Sequence, residues 1–278
     1  MKAMPFTLKS TVKLNNGVSM PLLGLGVYLM RPGQETYQAV KAALEVGYRL
    51  VDTASFYRNE EDVGRAVRDS AVPRKEVFIT TKLWNDDHGY DSALRAFDAS
   101  LKRLGLVSID LYLIHFPVPH LREESWRALE KILASGRARA VGVSNYTERH
   151  LKDLLRNSSV VPAVNQVEFS PFLYQRDLLE FCRTQQIQLE AYAPLTAGRR
   201  LGDPRITAIA KKHGRTNAQV LLRWAVQHGV VVIPKSGHAG RIAENAQVFD
   251  FELASDEVSA LDAFHDGFRS SWDPTAVP

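Results

Sequence analysis

The chain has 278 residues, 45% hydrophobic and 24% charged, which is enough apolar material for one large core and excludes disordered or collagen-like structure. Its one cysteine, Cys182, excludes an internal disulfide framework and any multi-cysteine metal cluster. A net charge of +4 suits an anionic ligand but is too thin over this length to indicate nucleic acid.

No uncharged stretch reaches the ~18 apolar residues of a membrane span. The best candidate, residues 20–30, carries Pro21, Gly24 and Gly26 and stops after 11 residues. Lys2 is followed by no apolar segment before Lys9, so no secretory signal, no membrane partner and a cytoplasmic location are expected.

In chain order, residues 11–21 read as a hairpin turning at Asn15-Asn16-Gly17. Gly24-Leu25-Gly26 lacks the third glycine of a dinucleotide fingerprint and reads as the turn from hairpin to barrel, with Gly26 near the active mouth. Helix and strand then alternate. Tyr37, Val40, Lys41 and Leu44 lie on a helix ended by Gly47. Strands are expected at 48–52, 77–82, 109–115, 138–143, 163–169, 188–193, 230–233 and 248–251. Helices are expected at 59–69, 91–104, 123–134, 148–155, 177–185, 205–213 and 218–227, with a short one after Arg241 and a last one at 255–264. Residues 266–278 read as a loop tail. Eight mostly apolar strands separated by helices, with no polar edge strand and no linker, imply a single (β/α)8 TIM barrel spanning residues 1–278, with the hairpin as an N-terminal cap.

In such a barrel the chemistry lies at the C-terminal ends of the strands. There the chain offers Asp52, Lys82, His115, Ser144 with Asn145, Gln166 with Glu168, Tyr192 before Pro194, and Lys235 with Ser236. Any one could be a loop-facing surface residue; the repetition points to a polar site at one end. Tyr57, five residues past Asp52, reads either as an aromatic plug, a job Phe56 could do equally well, or as a phenol acid. A phenol titrates near pH 10, and a shift of about three units needs about 4 kcal/mol. An ammonium at roughly 4 Å supplies that order of energy. Lys82 is therefore expected to tune Tyr57 downward, Asp52 to anchor Lys82, and His115 to bond or polarise a substrate oxygen.

These segments resemble the aldo-keto reductase family over about residues 11–265. Asp52-Thr53-Ala54-Ser55-Phe56-Tyr57 with Asn59-Glu60-Glu61 is similar to its first signature, Thr81-Lys82-Leu83-Trp84 to its lysine motif, and Asp110-Leu111-Tyr112-Leu113-Ile114-His115 to its histidine motif. Gly142-Val143-Ser144-Asn145 and Asn165-Gln166-Val167-Glu168 resemble its carboxamide-binding segments, and Ile233-Pro234-Lys235-Ser236 with Arg241 and Glu244-Asn245 its adenosine-phosphate segment. The resemblance implies a catalytic tetrad of Asp52, Tyr57, Lys82 and His115, with Tyr57 as general acid. It implies NADPH bound by Gly26, Ser144, Asn145, Gln166, Tyr192, Pro194, Leu195, Lys235, Ser236, His238, Arg241, Glu244 and Asn245, with Tyr192 stacked on the nicotinamide. Lys235 and Arg241 also suit a 2′-phosphate on charge alone, though a solvated basic face would look the same.

Departures from the family pattern include Ala193 after the stacking tyrosine and His238 where threonine or serine is common. A donor histidine at 238 would make NADPH affinity fall as pH rises. The short segment 116–125 resembles bacterial reductases of the diketo-gluconate type, which points to small sugar-derived, dicarbonyl or aromatic aldehydes. Tyr28, Trp84, Phe116 and Trp272 are the substrate-pocket candidates. The expected activity is NADPH-dependent reduction of a carbonyl compound by a monomer; the alternative is a nicotinamide-binding barrel acting as redox sensor or regulatory subunit. His115 and His120 lack metal-ligand geometry, so no metal is expected.

Overall fold

Ile109–Ile114 shows how the strands are made. Leu111 and Leu113 face the barrel interior with Leu50, Phe78 and Val231, while Ile109, Tyr112 and Ile114 face the helices. Both sides are buried, which is why the strand is a continuous apolar run rather than an alternating one. In the computed structural model, which describes residues 6–278, eight such parallel strands form one sheet.

The hairpin strands β1 (Thr11–Lys13) and β2 (Ser19–Pro21) pair antiparallel. The barrel strands are β3 (Leu25–Gly26), β4 (Leu50–Asp52), β5 (Phe78–Leu83), β6 (Ile109–Ile114), β7 (Ala138–Ser144), β8 (Val164–Glu168), β9 (Gln188–Tyr192) and β10 (Val231–Val232), each paired with the next in sequence order. Bridges Leu23↔Val232 and Gly26↔Lys235 close the cylinder. Among the described residues ten α-helices accompany them: α1 (Gln34–Val46), α2 (Glu60–Arg68), α3 (Tyr90–Leu104), α4 (Arg122–Ala134), α5 (Glu148–Asn157), α6 (Arg176–Thr184), α7 (Pro204–His213), α8 (Asn217–Gln227), α9 (Ala239–Ala246) and α10 (Ser255–Asp262).

Local chemistry sets the helix ends. Gly47 takes φ 116° at the end of α1 and donates to Ala43 and Leu44 carbonyls. Thr147 with His150, and Thr216 with Gln219, form reciprocal caps at the starts of α5 and α8. The hairpin contributes Leu14 and Met20 to the interior cluster, with Leu22 just beyond β2, so it plugs the barrel floor. Among the described residues, no helix is long and apolar enough to cross a membrane.

Two expectations are corrected. Residues 248–251 are no strand: Gln247–Phe249 is a single 3-10 turn that buries Val248 in the helical layer. The missing barrel strand is Leu25–Gly26, which had read as a turn. Its glycines permit close approach, since a Cβ on Gly24 would lie 2.4 Å from Leu50 Cγ and one on Gly26 would lie 2.8 Å from the Ile233 carbonyl oxygen.

Candidate active site

Asp52 ends β4, Lys82 lies in β5 and His115 follows β6, so neighbouring strands bring the three side chains together. Tyr57 sits on the 3-10 turn Ser55–Tyr57 beside them. That turn is pinned from below: Ser55 Oγ donates to the Lys82 carbonyl at 3.0 Å, and fully buried Asn59 donates to the Val27 carbonyl at 3.0 Å while accepting from Thr53 Oγ1 at 2.8 Å. Lys82 Nζ lies 2.6 Å from Asp52 Oδ1, 3.0 Å from the Thr53 carbonyl and 3.3 Å from Tyr57 Oη. An ammonium has three hydrogens, and each has a partner here. Tyr57 Oη thus accepts from Lys82 and keeps its own proton to donate. His115 Nε2 stands 3.4 Å from the same oxygen.

Burial dominates the electrostatics. It lifts the Tyr57 phenol well above its ordinary range, and the Asp52 charge pushes the same way. Lys82 therefore does not draw Tyr57 down toward neutrality, contrary to the charge argument above, because desolvation of the phenolate and the adjacent carboxylate outweigh one ammonium. Burial likewise lifts the Asp52 carboxyl, against the pull of Lys82. His115 is held well below its usual range by burial and then by the Lys82 charge, so its ring is neutral.

Asp52, Tyr57 and His115 of this cluster line a cleft of about 520 Å³. Gly26, Ser144, Asn145, Gln166, Tyr192, Pro194, Leu195, Lys235, Ser236, His238, Arg241, Glu244 and Asn245 all line it, as do Tyr28 and Trp272. Trp84 and Phe116 are not in the lining. Trp84 stacks on Phe56 with ring centroids 3.8 Å apart and stands 5.8 Å from Trp272; Phe116 stands 6.3 Å from Trp272.

The donor set fits a nicotinamide dinucleotide. At the barrel end, Gln166 Nε2 donates to both Asp52 Oδ2 and Glu190 Oε2 at 2.8 Å, which leaves Oε1 as the acceptor for a ligand amide. Asn145, left-handed at φ 63°, donates to the His115 carbonyl at 2.9 Å and accepts from Tyr192 Oη at 2.7 Å, fixing the Tyr192 ring against one wall. Lys235 and Ser236 just before α9 and Arg241 in its first turn line the same cleft, and among the described residues neither cation is in an ion pair. Two cations, a hydroxyl and a helix N-terminus suit a phosphate dianion. His238 caps α9: its Nδ1 accepts from Gly240 N at 3.1 Å, so the ring's available donor is Nε2–H, which a neutral imidazole already carries. Among the described residues, no group of three or more His, Cys, Asp or Glu is arranged to hold a metal ion.

A model described as the Aldo/keto reductase family matches residues 23–266. The chain belongs to the aldo/keto reductase family. Glyoxal reductase of Bacillus subtilis (strain 168) is 50% identical over 271 residues, covering 98% of this chain and 98% of that protein. MGS-M4, an aldo-keto reductase enzyme from a Medee basin deep-sea metagenome library, has a crystal structure that matches with TM-score 0.93 at 44% identity, over 97% of this chain and 100% of that one. The Bombyx mori aldo-keto reductase in complex with NADP matches with TM-score 0.88 at 37% identity, over 94% of each chain.

Three features of this aldo/keto reductase site escaped the residue patterns. Glu190 shares the inward face of β9 with Tyr192, two residues on, and that period was the available signal. Glu168 accepts from Ser270 N and Oγ at 2.6 Å each and from Ser271 N at 3.0 Å, tying the tail to β8; no local pattern encodes a contact across 102 residues. The wall after β9 holds Ala193, Thr196 and Ala197 at positive φ, each costing about 1–3 kcal/mol. Arg199, in the same segment, lines the cleft.

Proposed function

We propose that this enzyme reduces aldehydes or ketones to alcohols with NADPH. The observation that carries the reading is a Tyr57 hydroxyl bonded by Lys82 and facing His115, in a cleft that Lys235 and Arg241 also line. Bound there, the reduced nicotinamide supplies the hydride. Tyr57 gives its proton to the carbonyl oxygen. A phenol lifted by burial remains a competent donor, because an alkoxide is far more basic than a phenolate. Lys82 steadies the phenolate that forms, Asp52 fixes Lys82, and neutral His115 orients the oxygen. Ser144, Asn145 and Gln166 would hold the carboxamide, Tyr192 would pack against the ring, and Lys235 with Arg241 would bind the 2′-phosphate.

The short segment before α4 and the aromatic lip of Tyr28, Phe56 and Trp272 favour small aldehydes and dicarbonyls, and the glyoxal reductase relative supports that class. A carbonyl panel assayed by NADPH and by NADH oxidation tests the reading. Turnover of glyoxal-type and aromatic aldehydes, faster with NADPH, is expected. Tight NADPH binding with negligible turnover across the panel would replace it with a redox sensor.

A further inference from the structure

Glu190 takes no part in the reduction just described. β9 points it into the barrel and none of it reaches solvent. Gln166 Nε2 bridges it to Asp52, with 2.8 Å to each carboxyl group. Lys82 bonds Asp52, and Glu190 Oε1 is buried without a hydrogen-bond partner. The charged and titratable groups that act on it are Asp52 from β4 and Lys82 from β5, and its own charge reaches the Tyr57 phenol. Its register neighbours on β8 and β10 are the neutral Gln166 and Val231.

One ammonium cannot neutralise two carboxylates in a dry interior, so one carboxyl group holds a proton. Asp52 has the ammonium; Glu190 has an amide and an unpartnered oxygen. We propose that Glu190 is a positioning residue that sets the charge of the catalytic centre. As a neutral acid it leaves Asp52 and Lys82 balanced beneath Tyr57. As a carboxylate it adds an uncompensated negative charge that opposes proton release from Tyr57 and charge build-up on the carbonyl oxygen, and so slows reduction. Burial, followed by the Asp52 charge, pushes the Glu190 carboxyl up to about 8, which brings the change within working pH. The inference rests on Tyr57 as proton donor.

Glu190→Gln is neutral at every pH and keeps an acceptor for Gln166. Two series compare it with the parent: kcat at saturating NADPH and carbonyl substrate, and Tm, each against pH. The expected kcat ratio of variant to parent rises about fivefold or more from about pH 7 to about pH 9.5. Glu190→Asp retains a carboxyl group and is expected to keep the parent's alkaline decline. For Tm the sign follows from linkage. The carboxyl group titrates near 4.5 when unfolded and higher when folded, so its contribution is present at low pH and is lost as pH rises toward about 8. The Tm of Glu190→Gln should therefore climb relative to the parent from about pH 5 to about pH 8 and then level. A kcat ratio constant with pH overturns the charge-setting role, and a Tm difference constant with pH overturns the protonated buried acid. A parent inactive on every carbonyl overturns the reduction reading, while the Tm series still decides where the proton resides.

Discussion

The Lys82 ammonium lies 2.6 Å from Asp52 Oδ1, and neither side chain is more than 3% exposed. Two buried charges this close stand or fall together. Asp52→Ala takes from the Lys82 ammonium the carboxylate bonded to it, with Glu190 in no ion pair to it, and should destabilise the protein by about 3–5 kcal/mol in urea titration. Asp52→Leu combined with Lys82→Met removes both charges and should recover much of that loss while remaining inactive. A single variant losing less than about 1 kcal/mol would mean that water or another anion satisfies Lys82.

Tyr57→Phe deletes one oxygen from the cleft and leaves the ring contacts with Tyr28 and His115. Carbonyl reduction should fall by about 10²–10⁴-fold, the usual contribution of a positioned acid. The NADPH dissociation constant, measured by fluorescence titration, should scarcely move. Half of the parent activity in this variant is incompatible with proton donation by Tyr57.

Arg241 lines the cleft and is exposed. A charge-assisted bond to a phosphate contributes about 1.5–3 kcal/mol, so Arg241→Ala should raise the NADPH dissociation constant about 10–100-fold. NADH lacks the 2′-phosphate and should lose little. Equal losses for the two cofactors would place Arg241 outside phosphate recognition.

The grouping of Asp52, Lys82 and His115 was legible because each lies at or just past the end of a strand whose apolar run is plain, and strand order then fixes who neighbours whom. Asp52, Lys82 and His115 come from β4, β5 and β6, so sequence order was already spatial order. Closure was not legible. Leu25–Gly26 is two residues long and half glycine, and it is a strand because Val232 and Pro234 carbonyls accept from Gly24 and Gly26. Residues 248–251 looked like a strand because Val248, Phe249 and Phe251 are apolar, yet a turn buries Val248 equally well. The direction of the Tyr57 shift was misread for a related reason: pairing charges by motif counts Lys82 and omits desolvation, which only a packed barrel reveals.

The tail itself is held by Glu168. Its buried carboxylate accepts three hydrogen bonds from Ser270 and Ser271, and the next residue, Trp272, lies with its ring 5.6 Å from His115, 6.1 Å from Tyr28 and 6.0 Å from Phe56. Farther on, Arg122 bonds the Pro278 carbonyl and His150 contacts that of Val277, so the strap is tied on both sides of Trp272. Glu168→Gln turns an NH2 group toward one of these donors and loosens the inner tie. KM for an aromatic aldehyde should rise about tenfold, as expected for losing a contact of about 1.4 kcal/mol made equally in ground and transition states, with kcat changing less. Trp272→Ala should have a similar effect alone and little added effect in the Glu168→Gln background, because both act on one contact. Additive losses would show that Glu168 works on the cleft independently of Trp272.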